Sequence, residues 1–253
     1  MSMGFTFAER VHCRDDYGAN GWFSWVIFKN DRLQFALFRR MSGVAATVFS
    51  RGGMTVACCC GLVGVAALCA APVSSLVFTA GVAATVAASL TLQIRSVYGG
   101  DGAHQMNIVV GVAILVGFNP WLGPTEGQLS LIFITAQVCL AYCAAGIAKL
   151  MSPIWMKGDA LPKILSTAAY GSGVGFRLTQ RVPTLSRLVS RGTIFTETFF
   201  PLALVAPQSI LYGFLAWGVS FHVANATLMG LNTFLPSFLA TYPAIVFTWH
   251  LLH

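Results

Sequence analysis

Two uncharged apolar runs, 54–86 and 129–148, set the strongest limit on what this chain can become. Only Pro72 and a few serines and threonines interrupt the first. About 20 consecutive apolar residues suffice to cross the hydrocarbon core of a bilayer. Hydrophobic residues make up 56% of the 253 and charged residues 9%, where a soluble domain carries roughly 25% charged residues. One soluble core of this size cannot hide that much apolar surface. The chain therefore reads as all-α, a polytopic transmembrane helix bundle.

Seven spans are expected, at 54–71, 74–92, 106–118, 128–150, 193–206, 208–231 and 234–252, or six if the segment around Pro207 is a bend within one helix. Pro72 turns the chain between the first two. Asn119-Pro120-Trp121 closes the short third span with an interfacial aromatic, and Pro201 should kink the fifth. Ahead of the spans, 21–38 mixes Trp22, Phe23, Trp25, Phe28 and Phe35 with Lys29 and Arg32, the pattern of an interfacial helix lying on the membrane. A polar link, 93–105, joins spans two and three, and 151–191 reads as a basic loop. With no internal repeat, 1–253 reads as a single domain whose segment 1–52 is cytoplasmic and interfacial.

Of the 15 lysines and arginines, seven precede span one and six lie in 151–191. That asymmetry places both regions on the cytoplasmic side. It also accounts for the net charge of +7 without a nucleic-acid partner. Glu9, Asp15, Asp16 and Asp31 precede the first apolar run, so no cleavable signal peptide is expected and the first span serves as the insertion signal. Most of the seven cysteines fall inside spans as small apolar filler, and no metal site is expected.

Ionisable side chains within spans are costly and point to function. Lys149, Glu197 and His222 sit in spans, with His104 at the mouth of another. Tyr142, Ala145 and Gly146 share a helical face with Lys149, which either snorkels to the headgroups or faces an internal cavity. His222 has Gly218 before it and Asn225 and Ala226 after it, a stripe suited to close helix packing and an interhelical hydrogen bond. Glu197 follows Thr193 by one turn and either bonds that hydroxyl or a neighbouring helix, or holds a cation or proton. A methionine at 149 is expected to preserve insertion and folding, because it keeps the stem volume and removes a charge.

The run Ala141-Tyr142-Cys143-Ala144-Ala145-Gly146-Ile147-Ala148-Lys149-Leu150, followed by Trp155 and Gly158, resembles the characteristic segment of the vitamin K-dependent gamma-carboxylase-like, or HTTM, membrane-domain family. Asp101-Gly102-Ala103-His104 and Phe221-His222-Val223-Ala224-Asn225, with Met229-Gly230, resemble two further landmarks in the same order. The resemblance covers about 33–250, the membrane half of the carboxylase without its large lumenal domain. It implies a reduced quinone, vitamin K-like, as cofactor and no metal. It also implies Lys149 as the base that deprotonates the quinol, with His104 assisting and His222 lining the cavity. Tyr142, Gly146, Trp155 and Asn225 would then contact the cofactor.

Small bacterial members of the sporulation-delaying protein B type are closer in size and are linked to maturation of a secreted toxin peptide. The resemblance thus implies a bacterial cytoplasmic membrane enzyme with a lyase-type, quinone-epoxidising reaction, acting in modification or maturation of a peptide. Its partners would be membrane lipids, the peptide substrate and an accessory maturation protein. Two rival classes stay open. One is a non-catalytic partner in toxin maturation, export or immunity. The other is a small proton- or ion-coupled transporter whose path runs through Glu197, His222 and Lys149. The charge rule sets His104 and Lys149 at cytoplasmic ends of their spans, whereas the carboxylase works on the lumenal side.

Overall fold

A computed structural model describes residues 2–18, 20–21, 23–25, 42–95 and 101–253. Most of the expected interfacial helix 21–38 lies outside the described residues. Every regular element among those described is a helix. The chain divides into two compact units, Met1–Ser130 and Leu131–His253, with the division falling inside one long helix.

The first unit comprises α1 (Ser2–His12), a 3-10 turn (Arg14–Tyr17), α2 (Ser42–Val48), α3 (Arg51–Ala70), α4 (Leu76–Arg95), α5 (Gly102–Gly117) and the start of α6 (Pro124–Leu150). The Ser50 hydroxyl oxygen starts α3 by accepting the Gly53 N–H at 3.1 Å, an N-cap that satisfies one orphan donor of the first turn. Pro72 then turns the chain into α4. Small residues set how closely α3 and α4 approach: a Cβ on Gly64 would stand 2.7 Å from the Gly81 carbonyl oxygen, and one on Gly81 2.9 Å from that of Gly64. In a bilayer such contact replaces the hydrophobic effect as the force holding helices together.

Helix α1 lies on this pair, its Phe7 ring filling the space above Gly61. Phe7 forms one core with Tyr17, Phe49, Met54, Cys58 and Leu92. Arg95 ends α4 fully buried, its Nε donating to the Phe49 carbonyl oxygen at 3.4 Å. Its guanidinium lies 5.7 Å from the Tyr17 ring centre and 5.6 Å from that of Trp25, close enough for cation–π attraction. Burial pushes the Tyr17 phenol above its usual range, while the positive charges of Arg10 and Arg95 pull it back.

The second unit holds the rest of α6, then α7 (Pro153–Lys157), α8 (Ala160–Leu165), α9 (Gly173–Arg181), α10 (Pro183–Phe199), a 3-10 turn (Phe200–Leu204), α11 (Gln208–Met229), α12 (Phe234–Leu239) and α13 (Tyr242–Leu252). The basic stretch 151–191, expected as a loop, is largely helical. Pro153 and Pro183 occupy first turns, where a missing N–H costs nothing. The Ser172 hydroxyl caps α9 by accepting the Gly175 N–H at 3.2 Å. The fifth span also differs from expectation. Its α-helix begins at Pro183 and stops at Phe199, because Pro201 has no N–H to offer the Glu197 carbonyl; the Phe200 N–H takes that carbonyl in a tighter turn. Span seven is interrupted between α12 and α13.

Four stretches among the described residues are long and apolar enough to cross a membrane: Arg51–Ala70, Leu76–Arg95, Pro124–Leu150 and Phe234–Leu252. Within their most apolar windows 22–39% of residues are buried. Val56, Val63, Leu129 and Leu140 accordingly point outward. Such outward apolar surface is stable against lipid and unfavourable against water. Helix α5 is apolar but has 16 residues, about 24 Å of rise against a core of about 30 Å.

Candidate functional site

Lys149 stands one residue from the end of α6. Its Nζ donates to Glu197 Oε2 of α10 at 2.6 Å and reaches the Ala145 carbonyl oxygen at 3.5 Å. The lysine side chain is 19% exposed and the glutamate 3%, so the acid lies behind the amine. Close contact between the helices makes this possible. A Cβ on Gly146, one turn before Lys149, would collide with the backbone nitrogen of Thr198, the residue after Glu197.

The chain beyond Lys149 explains the spacing to Trp155 and Gly158. The Ser152 N–H bonds the Lys149 carbonyl at 3.1 Å, and α7 follows at once. Gly158 then ends α7 with φ +82°, a left-handed conformation suited to glycine. Arg187 of α10 fills the space beside it, and the Ser186 hydroxyl donates to the Gly158 carbonyl oxygen at 2.6 Å. This locks α7 against α10 and sets the Trp155 ring 5.3 Å from Lys149 Nζ, within cation–π range.

Lys149 and Trp155 line a cleft of about 610 Å³ together with Asn225. Its walls come from α8, α9, α10 and α11 and are mostly apolar, with Leu178, Leu188, Trp217 and Phe221 among them. Polar side chains on the lining include Thr193, Ser220 and Asn225, while Lys149 is the one charged residue among those described. Glu197 does not line the cleft.

His222 points elsewhere. It is 2% exposed, and its Nε2 lies 2.8 Å from the Tyr142 hydroxyl. The imidazole stacks on Phe238 with ring centres 4.6 Å apart, and Tyr142 stacks on Phe200 at 4.2 Å. Gly218 makes room for this group: a Cβ there would collide with the Tyr242 hydroxyl and stand 3.4 Å from that of Tyr142. Asn225 and His222, assigned from sequence to one stripe, thus serve different surroundings, Asn225 on the cleft and His222 in the aromatic interior.

His104 belongs to the first unit, where its backbone N–H donates to the Asp101 side chain at 2.8 Å, capping α5. Its Nε2 lies 3.1 Å from the Ser89 carbonyl oxygen, so that nitrogen carries the proton of the bond. Lys149, Trp155, Asn225, Gly146, Tyr142 and His222 all belong to the second unit. Sequence reading singled out Glu197 as an intramembrane acid but missed its pairing with Lys149.

These features define, among the described residues, an all-α fold with four apolar helical stretches of membrane-crossing length and a mostly apolar cleft at the end of one of them. No protein-family model, curated protein or solved structure matches it.

Proposed function

We propose that the protein is an integral membrane enzyme of the gamma-carboxylase-like, or HTTM, kind that binds a reduced quinone in the cleft of its second unit, and that it uses Lys149 as a base in modifying or maturing a peptide. The observation that carries this reading is the placement of a lysine, the one charged side chain described on the lining, at a mostly apolar cleft. The donor set fits a reduced quinone. Leu178, Leu188 and Phe221 suit its apolar body, Trp155 and Trp217 offer ring faces, and Lys149 and Asn225 offer polar atoms on the lining.

When bound, a reduced quinone supplies an acidic ring hydroxyl and the electrons for reducing oxygen. The chain's own groups do the rest. Lys149 accepts a proton at Nζ, which requires its neutral amine. Glu197, 2.6 Å away, takes the ammonium proton to free that amine and, as the neutral acid, keeps a carbonyl oxygen that accepts a hydrogen bond from the ammonium formed when the quinol proton is taken. The apolar walls exclude water, which strengthens both interactions. His222 and Tyr142 fix α11 against α6 and so hold the cleft wall that carries Asn225. The contribution of His104 rests on the resemblance.

Quinol-dependent oxygen uptake by the purified protein tests the reaction. Lys149→Arg is expected to keep the ion pair and abolish uptake, because a guanidinium stays protonated and cannot act as a base. An arginine variant with full uptake contradicts the base role. Solute flux driven by a gradient, with no uptake in the parent protein, would favour the transporter.

In this reading the chain crosses a bacterial cytoplasmic membrane six or seven times, with its N-terminus and the basic helices 153–191 on the cytoplasmic face. Four helices, α3 to α6, lie between these regions, so they share a face only if the short α5 crosses. Single cysteines replacing the exposed Ala8 and Gln180 in a cysteine-free background report this directly. Both are expected to react with an impermeant maleimide only after cell lysis. Labelling of one in intact cells and the other after lysis contradicts the topology.

A further inference from the structure

We propose that Glu197 neutralises the charge that Lys149 brings to the cleft, so that the cleft selects a neutral, hydroxyl-bearing amphiphile and rejects acidic lipids. The inference deepens the reading of the cleft as a quinol site and rests on it. Lys149 is the one charged side chain among the described lining residues. An unpaired ammonium at the end of an apolar cleft would be a receptor for fatty acids and anionic phospholipids, which a membrane supplies in excess. Here the ammonium already has a carboxylate at 2.6 Å, a backbone carbonyl oxygen at 3.5 Å and the Trp155 ring face.

The acid that neutralises it is buried behind it, 3% exposed, and held by the contact of Gly146 with Thr198. An incoming carboxylate or phosphate would meet a second negative charge close by and give up its own hydration for an ammonium that is already paired. Both effects are large where water is excluded. A neutral hydroxyl meets neither penalty. It can accept from an ammonium N–H, while Thr193, Ser220 and Asn225 add uncharged polar atoms to the lining. Rejection by a fixed like charge is a common source of specificity, distinct from attraction of the preferred ligand. Glu197 is thus a positioning and specificity residue that acts through Lys149.

Two cleft tryptophans, Trp155 and Trp217, give an optical readout. The full chain is placed in nanodiscs of phosphatidylcholine and titrated with cis-parinaric acid, with its methyl ester and with decylubiquinol, binding being followed by loss of tryptophan emission. The unmodified protein is expected to bind the ester at least tenfold more tightly than the acid, a comparison that needs no variant. Glu197→Gln is expected to bind the acid at least tenfold more tightly than the parent does and the ester within threefold of it. Equal affinity of the parent for acid and ester overturns the inference. So does unchanged acid affinity in a folded Glu197→Gln protein. Preference for the ester with no binding of decylubiquinol supports the charge selection and removes the quinol reading. Binding of none of the three removes both.

Discussion

Lys149→Met is expected to destabilise the protein by about 3–5 kcal/mol, the range for breaking a buried ion pair from one side. Considered from sequence, the substitution looks mild, since a methionine matches the lysine stem and carries no charge. The partner reverses that expectation. Glu197 is 3% exposed, and its Oε2 accepts from Lys149 Nζ at 2.6 Å. Taking away the amine leaves a carboxylate in an apolar interior with no opposite charge. Removing both charges avoids that state, so Lys149→Met combined with Glu197→Leu is expected to recover most of the loss. Apolar replacements of whole buried pairs are often neutral or stabilising. Thermal unfolding in detergent, followed by tryptophan fluorescence, gives the double-mutant cycle. A single Lys149→Met protein as stable as the parent would show that Glu197 does not depend on the lysine.

Gly146→Val carries the other large effect, a loss of roughly 3 kcal/mol at the upper end of overpacking costs. The neighbour of a Cβ at Gly146 is the backbone nitrogen of Thr198 as well as its hydroxyl. A flexible side chain could turn aside, but a helix backbone cannot, so α6 and α10 must separate. Lys149 lies one turn from the clash and Glu197 is the residue beside Thr198, so separation also stretches the ion pair. Gly213 on α11 is the matched control, because a Cβ there meets nothing within 4 Å. Gly213→Val is expected to change the unfolding temperature little. Equal effects at the two glycines would contradict the close crossing of α6 and α10.

Much of the fold was legible because membrane solvation writes itself into composition. The uncharged runs 54–86 and 129–148 place α3, α4 and α6, and Pro72 marks the turn between the first two. The elements that were hard to read are those in which local signals conflict. The segment 151–191 has the charge of a loop, yet Pro153, Ser172 and Pro183 sit where helix starts want them, and helices form. At the fifth span the apolar stretch suggested a kinked helix, but Pro201 denies Glu197 its i+4 donor and ends the α-helix two residues earlier.

The site divides along the same line. Tyr142, Gly146 and Lys149 lie within one helix, and Trp155 and Gly158 follow one short turn on, so their grouping is a matter of helical period and capping. Glu197 lies 48 residues beyond Lys149. No periodicity connects two helices across that distance, and the sequence offered Thr193, on the same helix, as a nearer partner. The different surroundings of His222 and Asn225 were equally hidden. Both choices depend on which neighbours α11 meets, Tyr142 on one side and the cleft on the other.

Photolabelling with an azido-quinone, followed by mapping of the modified peptides, tests the central claim that a quinone occupies the cleft beside Lys149. The expected result is label on α10 and α11, at cleft residues such as Leu188, Phe221 and Asn225, suppressed by excess unlabelled decylubiquinol. Label confined to the outward faces of α3 and α4, or cleft label that excess quinol does not displace, would contradict it.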